Sequence, residues 1–254
     1  MPTASALRIQ IEHSLERRFP AALTPVPRTI RETAATGIPA VDGLLDGGLP
    51  VGAISEIVGP ASSGRTSLAL AFVARRTREE RVCAWIDAND GFDSESAAAN
   101  GVALHRLLWV RCKSPGATAK PWARLDQAMR ATDLLLQAGG FAALVLDLGA
   151  TAPEHACRIP LATWFRFRQG ADRTRSSLLV VAQKALAQSS AAVVLECAPL
   201  NVQAGNGTVL SGCKYQVSTG RIRSSTTTLP IDGKRKPPAV AWPAAGMGQR
   251  EARA

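Results

Sequence analysis

The sequence predicts an α/β fold with a mainly parallel central sheet flanked by helices. Five continuous apolar segments alternate with segments of helical periodicity, an order typical of buried parallel strands joined by crossover helices. A glycine-rich motif over 59–67 follows the first apolar segment, and another apolar segment ends in Asp147. With 254 residues, of which 46% are hydrophobic, the chain is long enough for one large domain with additions.

The chain is expected to divide into three parts. Residues 1–35 are predicted to form an N-terminal helix and a linker, residues 36–228 the core, and residues 229–254 a flexible basic tail rich in Pro, Gly and Ala. The helix is predicted over 4–19, where apolar residues recur every four positions: Leu7, Ile11, Leu15 and Phe19. This helix either packs on its own domain or docks on another molecule, so it is a candidate for homo-oligomerisation.

The core elements follow from apolar periodicity and from the positions of Gly and Pro. In chain order they are a short helix and a glycine turn over 36–52, a strand at 53–58, a helix ending near Arg76, a strand at 82–87, a short helix at 94–100, a strand at 107–111, a helix at 121–137, a strand at 142–147, a helix at 158–169 and a strand at 178–182. Extra C-terminal strands are predicted at 191–198 and about 212–223. In the helix at 121–137 the expected inward residues are Leu125, Met129, Leu134 and Leu135.

The glycine-rich motif has the spacing of a phosphate loop, with arginine in the usual lysine position. Its residues are Gly59, Pro60, Ala61, Ser62, Ser63, Gly64, Arg65, Thr66 and Ser67. The glycines permit backbone angles that place successive N–H groups around an anion, and the following helix adds its positive end. Arg65 then meets the phosphates, and the Thr66 hydroxyl can hold Mg²⁺. The alternative is a glycine turn that happens to open a helix, but the flanking strand and helix favour a nucleotide site.

Four hydrophobic residues before Asp147 match a Walker B segment. The aspartate would lie at the carboxyl end of a central strand, where open α/β sheets place their ligands. There it would hold Mg²⁺ through water, across from Thr66. The alternative is a strand that ends in aspartate by chance, and the upstream phosphate loop favours Walker B. ATP and Mg²⁺ are therefore the expected cofactors.

The net charge of +10 and the pI of about 10.1 suggest a polyanionic partner, with nucleic acid first. A solvated arginine-rich surface is the alternative. The five cysteines show no CxxC pairing, which favours a reducing compartment, and the three histidines have no metal-ligand spacing. Since no apolar run approaches membrane-spanning length and no signal-peptide core is seen, no membrane association is expected and the default location is cytoplasmic.

Taken together, these motifs resemble the RecA recombinase family. The resemblance covers roughly residues 35–200 and is carried by 36–39, the phosphate loop, 83–88, Asp147, 180–183 and 191–197. It implies a RecA-like P-loop NTPase core, of the kind that forms filaments on DNA.

The same resemblance identifies departures from the family. Strand two of the family ends in Asp-Ala-Glu, whose glutamate activates water, and here the matching position is Asn89, which cannot accept a proton. The adenine-stacking tyrosine is matched by Ser96, whereas the aspartate that contacts the adenine amino group is retained as Asp93. Gln183 matches the glutamine that links the γ-phosphate to DNA binding. Only Lys184–Ser190 follow it, in place of a long glycine-rich DNA-binding loop.

Four departures weaken the same activity, which is DNA-dependent ATP hydrolysis by a recombinase: Arg65, Asn89, Ser96 and the short loop. In this respect the chain is similar to the ImuA-type (RecA/SulA-like) accessory factors of mutagenic repair, and the segment 158–168 shares that likeness. The likeness implies a role in the SOS response with weak or absent ATP hydrolysis. The implied partners are a translesion polymerase, the replication clamp or a RecA-type recombinase. Two alternatives stay open: an active DNA-dependent ATPase of recombination, and a non-enzymatic regulator resembling a cell-division inhibitor.

The segment Trp164-Phe165-Arg166-Phe167-Arg168 alternates aromatic side chains with arginines. Such a pattern can stack bases and hold phosphates, which makes Arg166, Arg168 and Lys184 candidates for contact with single-stranded DNA. The alternative, which we favour, is an amphipathic helix with its aromatic residues partly in the core and its arginines on the rim.

Overall fold

The computed structural model describes residues 32–113, 122–205, 209–222 and 239–243. The predicted helix at 4–19 and most of the predicted tail lie outside these residues. The helices are α1 (Pro39–Leu44), α2 (Arg65–Arg78), α3 (Ser94–Ala99), α4 (Ala123–Ala138), α5 (Pro153–Ala156) and α6 (Leu161–Thr174). The strands are β1 (Thr33–Ala34), β2 (Leu49–Pro50), β3 (Ile54–Val58), β4 (Cys83–Asp87), β5 (Leu107–Arg111), β6 (Ala143–Asp147), β7 (Ser177–Ala182), β8 (Ala191–Gly205), β9 (Val209–Ile222) and β10 (Ala239–Pro243). Two 3₁₀ turns span Leu104–Arg106 and Gln188–Ser190.

The described residues form a central sheet of eight strands in the order β10-β9-β8-β3-β7-β6-β4-β5. The six strands from β8 to β5 are parallel to their neighbours. Strands β9 and β10 add to the β8 edge in antiparallel orientation, and β1 pairs with β2 in a separate two-stranded sheet. The predicted α/β class with a mainly parallel sheet and extra C-terminal strands is confirmed.

Helices cover both faces of the parallel strands, so these strands are apolar on both sides. Strand β3 is buried along its whole length. On one face Ile57 belongs to the apolar cluster that contains Phe72 of α2. On the other face Ile54 belongs to the cluster that contains Trp164 of α6. The carboxyl ends of β3, β7, β6 and β4 therefore form one edge above a packed core.

Two helices differ in detail from the sequence prediction. In α4 the buried positions are Leu125, Ala128, Thr132 and Leu136. This stripe places Leu134 on the outer side, where it is 66% exposed, so the prediction that Leu134 faces inward is wrong. Helix α6 begins at Leu161 rather than at 158 because Pro160 provides its N-cap.

The C-terminal segment also differs from the prediction, at 239–243. The sequence predicts a flexible tail over 229–254, but Ala239–Pro243 form β10 and pair with β9. This pairing satisfies backbone groups that β9 would otherwise present along an open sheet edge. Within the ranges that the structure describes, no helix is long and apolar enough to cross a bilayer.

Candidate nucleotide site

The predicted phosphate loop connects the end of β3 at Val58 to the start of α2 at Arg65. Gly64 adopts a left-handed conformation with φ of 85°, and Ser62 is also left-handed with φ of 57°. No side chain caps the N-terminus of α2, so its first backbone N–H groups are available to an anion. Ser63 Oγ and one guanidinium nitrogen of Arg65, Nη1, are buried without a hydrogen-bond partner. These features fit a phosphate group.

Arg65 is a buried cation, only 8% exposed. Its Nη2 donates to the carbonyl oxygen of Gly149 over 3.4 Å, so the side chain reaches the loop that follows β6. Burial lowers the pKa of Arg65, and the negative charge of Asp147 opposes that change. Because a guanidinium stays protonated in proteins, the unpaired Nη1 provides a charged donor for an anionic oxygen.

Two aspartates lie side by side at the carboxyl ends of neighbouring strands, since Asp87 of β4 is in register with Asp147 of β6. Asp147 Oδ1 accepts a hydrogen bond of 2.9 Å from the Gly149 N–H. Burial raises the pKa of Asp147, and the hydrogen bond from Gly149 opposes that rise. Thr66 is exposed in the first turn of α2. In the described ranges, His, Cys, Asp and Glu side chains form no group of three that could hold a metal.

Asp87 was missed by the sequence reasoning, although its position at a strand end was a signal. It is buried and organises the turn after β4 by accepting backbone hydrogen bonds. The donors are the N–H groups of Asn89, Gly91 and Phe92. Asp87 therefore fixes the backbone that presents the next polar side chain.

That side chain is Asn89, which the sequence predicts to stand at the position of the catalytic glutamate. Its Nδ2 lies 3.1 Å from Thr151 Oγ1, and the same hydroxyl lies 3.3 Å from Asn89 Oδ1. The neighbouring Asp90 is left-handed and pairs with Arg111 at 2.8 and 3.0 Å. The carboxylate of Asp90 is thus held by Arg111.

Gln183 lies at the end of β7 and donates from Nε2 to the carbonyl oxygens of Gly149 and Thr151, each over 3.4 Å. Arg65 bonds the same Gly149 carbonyl, and Asn89 bonds the Thr151 side chain. Three predicted site residues, from the start of α2, the turn after β4 and the end of β7, therefore meet at the loop after β6. The sequence did not identify Gly149 and Thr151 as their common partners.

Asp93 is the N-cap of α3. Its carboxylate accepts hydrogen bonds from Glu95 N at 3.1 Å, from Ser96 N at 3.2 Å and from the Ser96 hydroxyl. The bond from Ser96 is the largest cause of the lowered pKa of Asp93. Both residues with predicted adenine-side positions thus belong to one helix cap, and the adenine contact of Asp93 stays a prediction.

The short segment Lys184–Ser190 is anchored from beneath by Glu56 of β3. The buried Glu56 Oε1 accepts from Leu186 N at 2.6 Å and from Ala187 N at 2.9 Å. Leu186 and Ala187 are themselves buried, whereas Lys184 is exposed. A cavity of about 490 Å³ lies beside this segment and the phosphate loop, with Lys184 and Gln183 among its lining residues.

The aromatic and arginine segment of α6 divides between core and surface. Trp164 and Phe167 are buried with ring centroids 5.9 Å apart, as the amphipathic alternative expects. Phe165 is 48% exposed, and the Arg168 guanidinium lies 5.0 Å from its ring centroid. Arg166 Nε is 3.0 Å from Asp133, so this cation is already paired. DNA contact by Arg166, Arg168 or Lys184 stays a prediction.

Comparisons with known proteins agree with this geometry. The model of the RecA N-terminal domain matches residues 7–157. The chain is 39% identical over 125 residues to Protein RecA from Allorhizobium ampelinum, a match that covers 48% of this chain and 32% of that relative. The crystal structure of the RadB recombinase has the same fold, with a TM-score of 0.54 and 19% identity, and the match covers 75% of this chain and 90% of that one. Because the family model matches more than half of the sequence, the chain belongs to the RecA family.

Proposed function

We propose that this chain binds ATP with Mg²⁺, hydrolyses it weakly or not at all, and acts as an accessory factor in DNA-damage-induced translesion repair. The observation that carries the proposal is the pairing of Asn89 with Thr151 where the family places its general base. An amide that faces a hydroxyl has no group that can take a proton from water.

The residues of the phosphate loop would hold the nucleotide. Backbone N–H groups over 59–67 and the free Nη1 of Arg65 would meet phosphate oxygens. Thr66 and, through water, Asp147 would hold Mg²⁺, which in the bound state neutralises phosphate charge. Gln183 would sense the γ-phosphate from its place at the loop after β6, and Asp93 would contact the base.

The short segment after Gln183 supports an accessory role over a recombinase role. In this chain the segment is short, and Glu56 ties two of its N–H groups to the core. We expect single-stranded DNA to bind weakly through exposed cations such as Lys184, helped by the net charge of +10. A translesion polymerase, the replication clamp or a RecA-type recombinase is the proposed protein partner, as the resemblance to ImuA-type factors implies.

The test measures binding of a non-hydrolysable ATP analogue with Mg²⁺, alongside ATP turnover with and without single-stranded DNA. We expect binding without appreciable turnover, and we expect Arg65→Ala to reduce binding. Arg111→Ala is the matched control, because Arg111 pairs with Asp90 outside the phosphate loop. Brisk DNA-stimulated turnover would favour an active recombinase, and absence of both binding and turnover would favour a non-enzymatic regulator.

A further inference from the structure

The phosphate loop rests on two residues of the β8–β9 hairpin. A Cβ atom placed on Gly64 would lie 2.5 Å from Cγ and 2.6 Å from Cδ2 of Tyr215, so the tyrosine ring packs directly on the glycine backbone. A Cβ atom on Gly59 would overlap the carbonyl oxygen of Cys197. The hairpin therefore contacts the loop at both of its glycines.

The position of Tyr215 is fixed by side-chain packing and by strand pairing. It is partly buried and packs against the apolar cluster that contains Leu68 and Phe72 of α2. Its strand is paired on both sides, with Pro199 of β8 and Trp242 of β10 opposite it. The ring thus joins the C-terminal antiparallel strands to the first turn of the phosphate-loop helix.

We propose that Tyr215 is a positioning residue of the nucleotide site, which holds Gly64 in the left-handed conformation that anion binding requires. A loop with two glycines has many backbone conformations of similar energy, and only a few aim successive N–H groups at one point. Packing of the Tyr215 ring on Gly64 excludes other backbone conformations of the loop in the nucleotide-free protein. Such preorganisation increases affinity because less ordering remains for the binding step.

This inference rests on the proposed nucleotide binding for its functional consequence, but its structural part can be tested without nucleotide. Hydrogen exchange of the nucleotide-free full chain would be followed at the Leu68 amide, which donates to the Gly64 carbonyl oxygen over 2.9 Å, in the wild type and in Tyr215→Leu, Tyr215→Phe and Thr219→Ser. Thr219 lies on the same strand and on the same side of the sheet as Tyr215, but further from the phosphate loop, so it is the matched control. Exchange in β5 serves as an internal reference for global destabilisation.

We expect Tyr215→Leu to accelerate exchange of the Leu68 amide relative to β5, and to weaken binding of the ATP analogue roughly tenfold. Tyr215→Phe, which keeps the ring, and Thr219→Ser should match the wild type in both measurements. Unchanged exchange of the Leu68 amide in Tyr215→Leu would overturn the inference, as would equal effects of Leu and Phe. A wild type that binds no nucleotide would instead refute the proposed function, and the exchange data would still decide the role of Tyr215.

Discussion

The side-chain amide of Asn89 and the hydroxyl of Thr151 form a hydrogen-bonded pair, with Oγ1 3.1 Å from Nδ2 and 3.3 Å from Oδ1. A single hydroxyl can donate to the amide oxygen and accept from the amide nitrogen, so both functional groups of Asn89 face one partner. The residue predicted to occupy the general-base position is therefore part of a neutral hydrogen-bonded pair.

A carboxylate introduced at position 89 should not by itself give ATPase activity. We expect Asn89→Glu to show little ATP turnover, because the resemblance implies that the buried Arg65 and the short segment after Gln183 also weaken nucleotide binding and its coupling to DNA. Steady-state turnover with single-stranded DNA measures this, with Asn89→Gln as the uncharged control of equal size. Strong DNA-stimulated turnover of Asn89→Glu would show that the missing base is the only defect.

Binding of Mg²⁺ with nucleotide should weaken as the pH falls. Burial raises the pKa of Asp147, so its carboxyl takes up a proton at a higher pH than an ordinary aspartate. Since the protonated form is a poor metal ligand, affinity should fall on acidification and should begin to fall at a higher pH than an ordinary aspartate would produce. Calorimetry or fluorescence titration over a series of pH values measures the effect. Asp147→Asn should bind more weakly and lose this dependence, while Asp126→Asn, an exposed change, should keep it.

Glu56 should contribute to stability through the segment that it anchors. Glu56→Leu removes the acceptor for Leu186 N and Ala187 N, and each buried donor left unsatisfied costs about 1–3 kcal/mol. We expect a clear loss in the free energy of unfolding, measured with denaturant, and faster proteolysis within Lys184–Ser190. Glu56→Gln keeps an acceptor oxygen and should lose less, and the exposed Glu196→Gln should change little. Equal stability of Glu56→Leu and the wild type would contradict the anchoring role.

Thiol reactivity should distinguish the exposed Cys157 from three buried cysteines. Burial raises the pKa of both Cys83 and Cys197 to about 12, and it also raises the pKa of Cys112. These thiols stay protonated and unreactive at neutral pH, whereas Cys157 is exposed. Alkylation of the native protein, followed by peptide mass analysis, should therefore label Cys157 before the other three. Early labelling of Cys197 would mean that the β8 edge opens in solution.

The sequence predicted most of the fold because each buried parallel strand is a continuous apolar segment with a local signature. The phosphate loop could be proposed for the same reason, since its residues are contiguous, and it stays a prediction. The prediction for Leu134 is wrong because apolar character alone does not determine which face of a helix is buried. In α4 the buried face includes Thr132 and Leu136, and Leu134 lies outside it. Contacts such as Glu56 with Leu186 could not be predicted, because they join residues far apart in the chain. The same holds for Asn89 with Thr151 and for Tyr215 with Gly64.

The anchoring of Lys184–Ser190 by Glu56 has a consequence for how a signal could leave the nucleotide site. A segment that changes between order and disorder must first be free to move. Here three of its side chains are buried and two of its N–H groups donate to the buried Glu56. Gln183 also donates to the loop after β6. A displacement of Gln183 on ligand binding would therefore shift Gly149 and Thr151. It would not order or release the segment Lys184–Ser190, so the conformational response would stay within the nucleotide site.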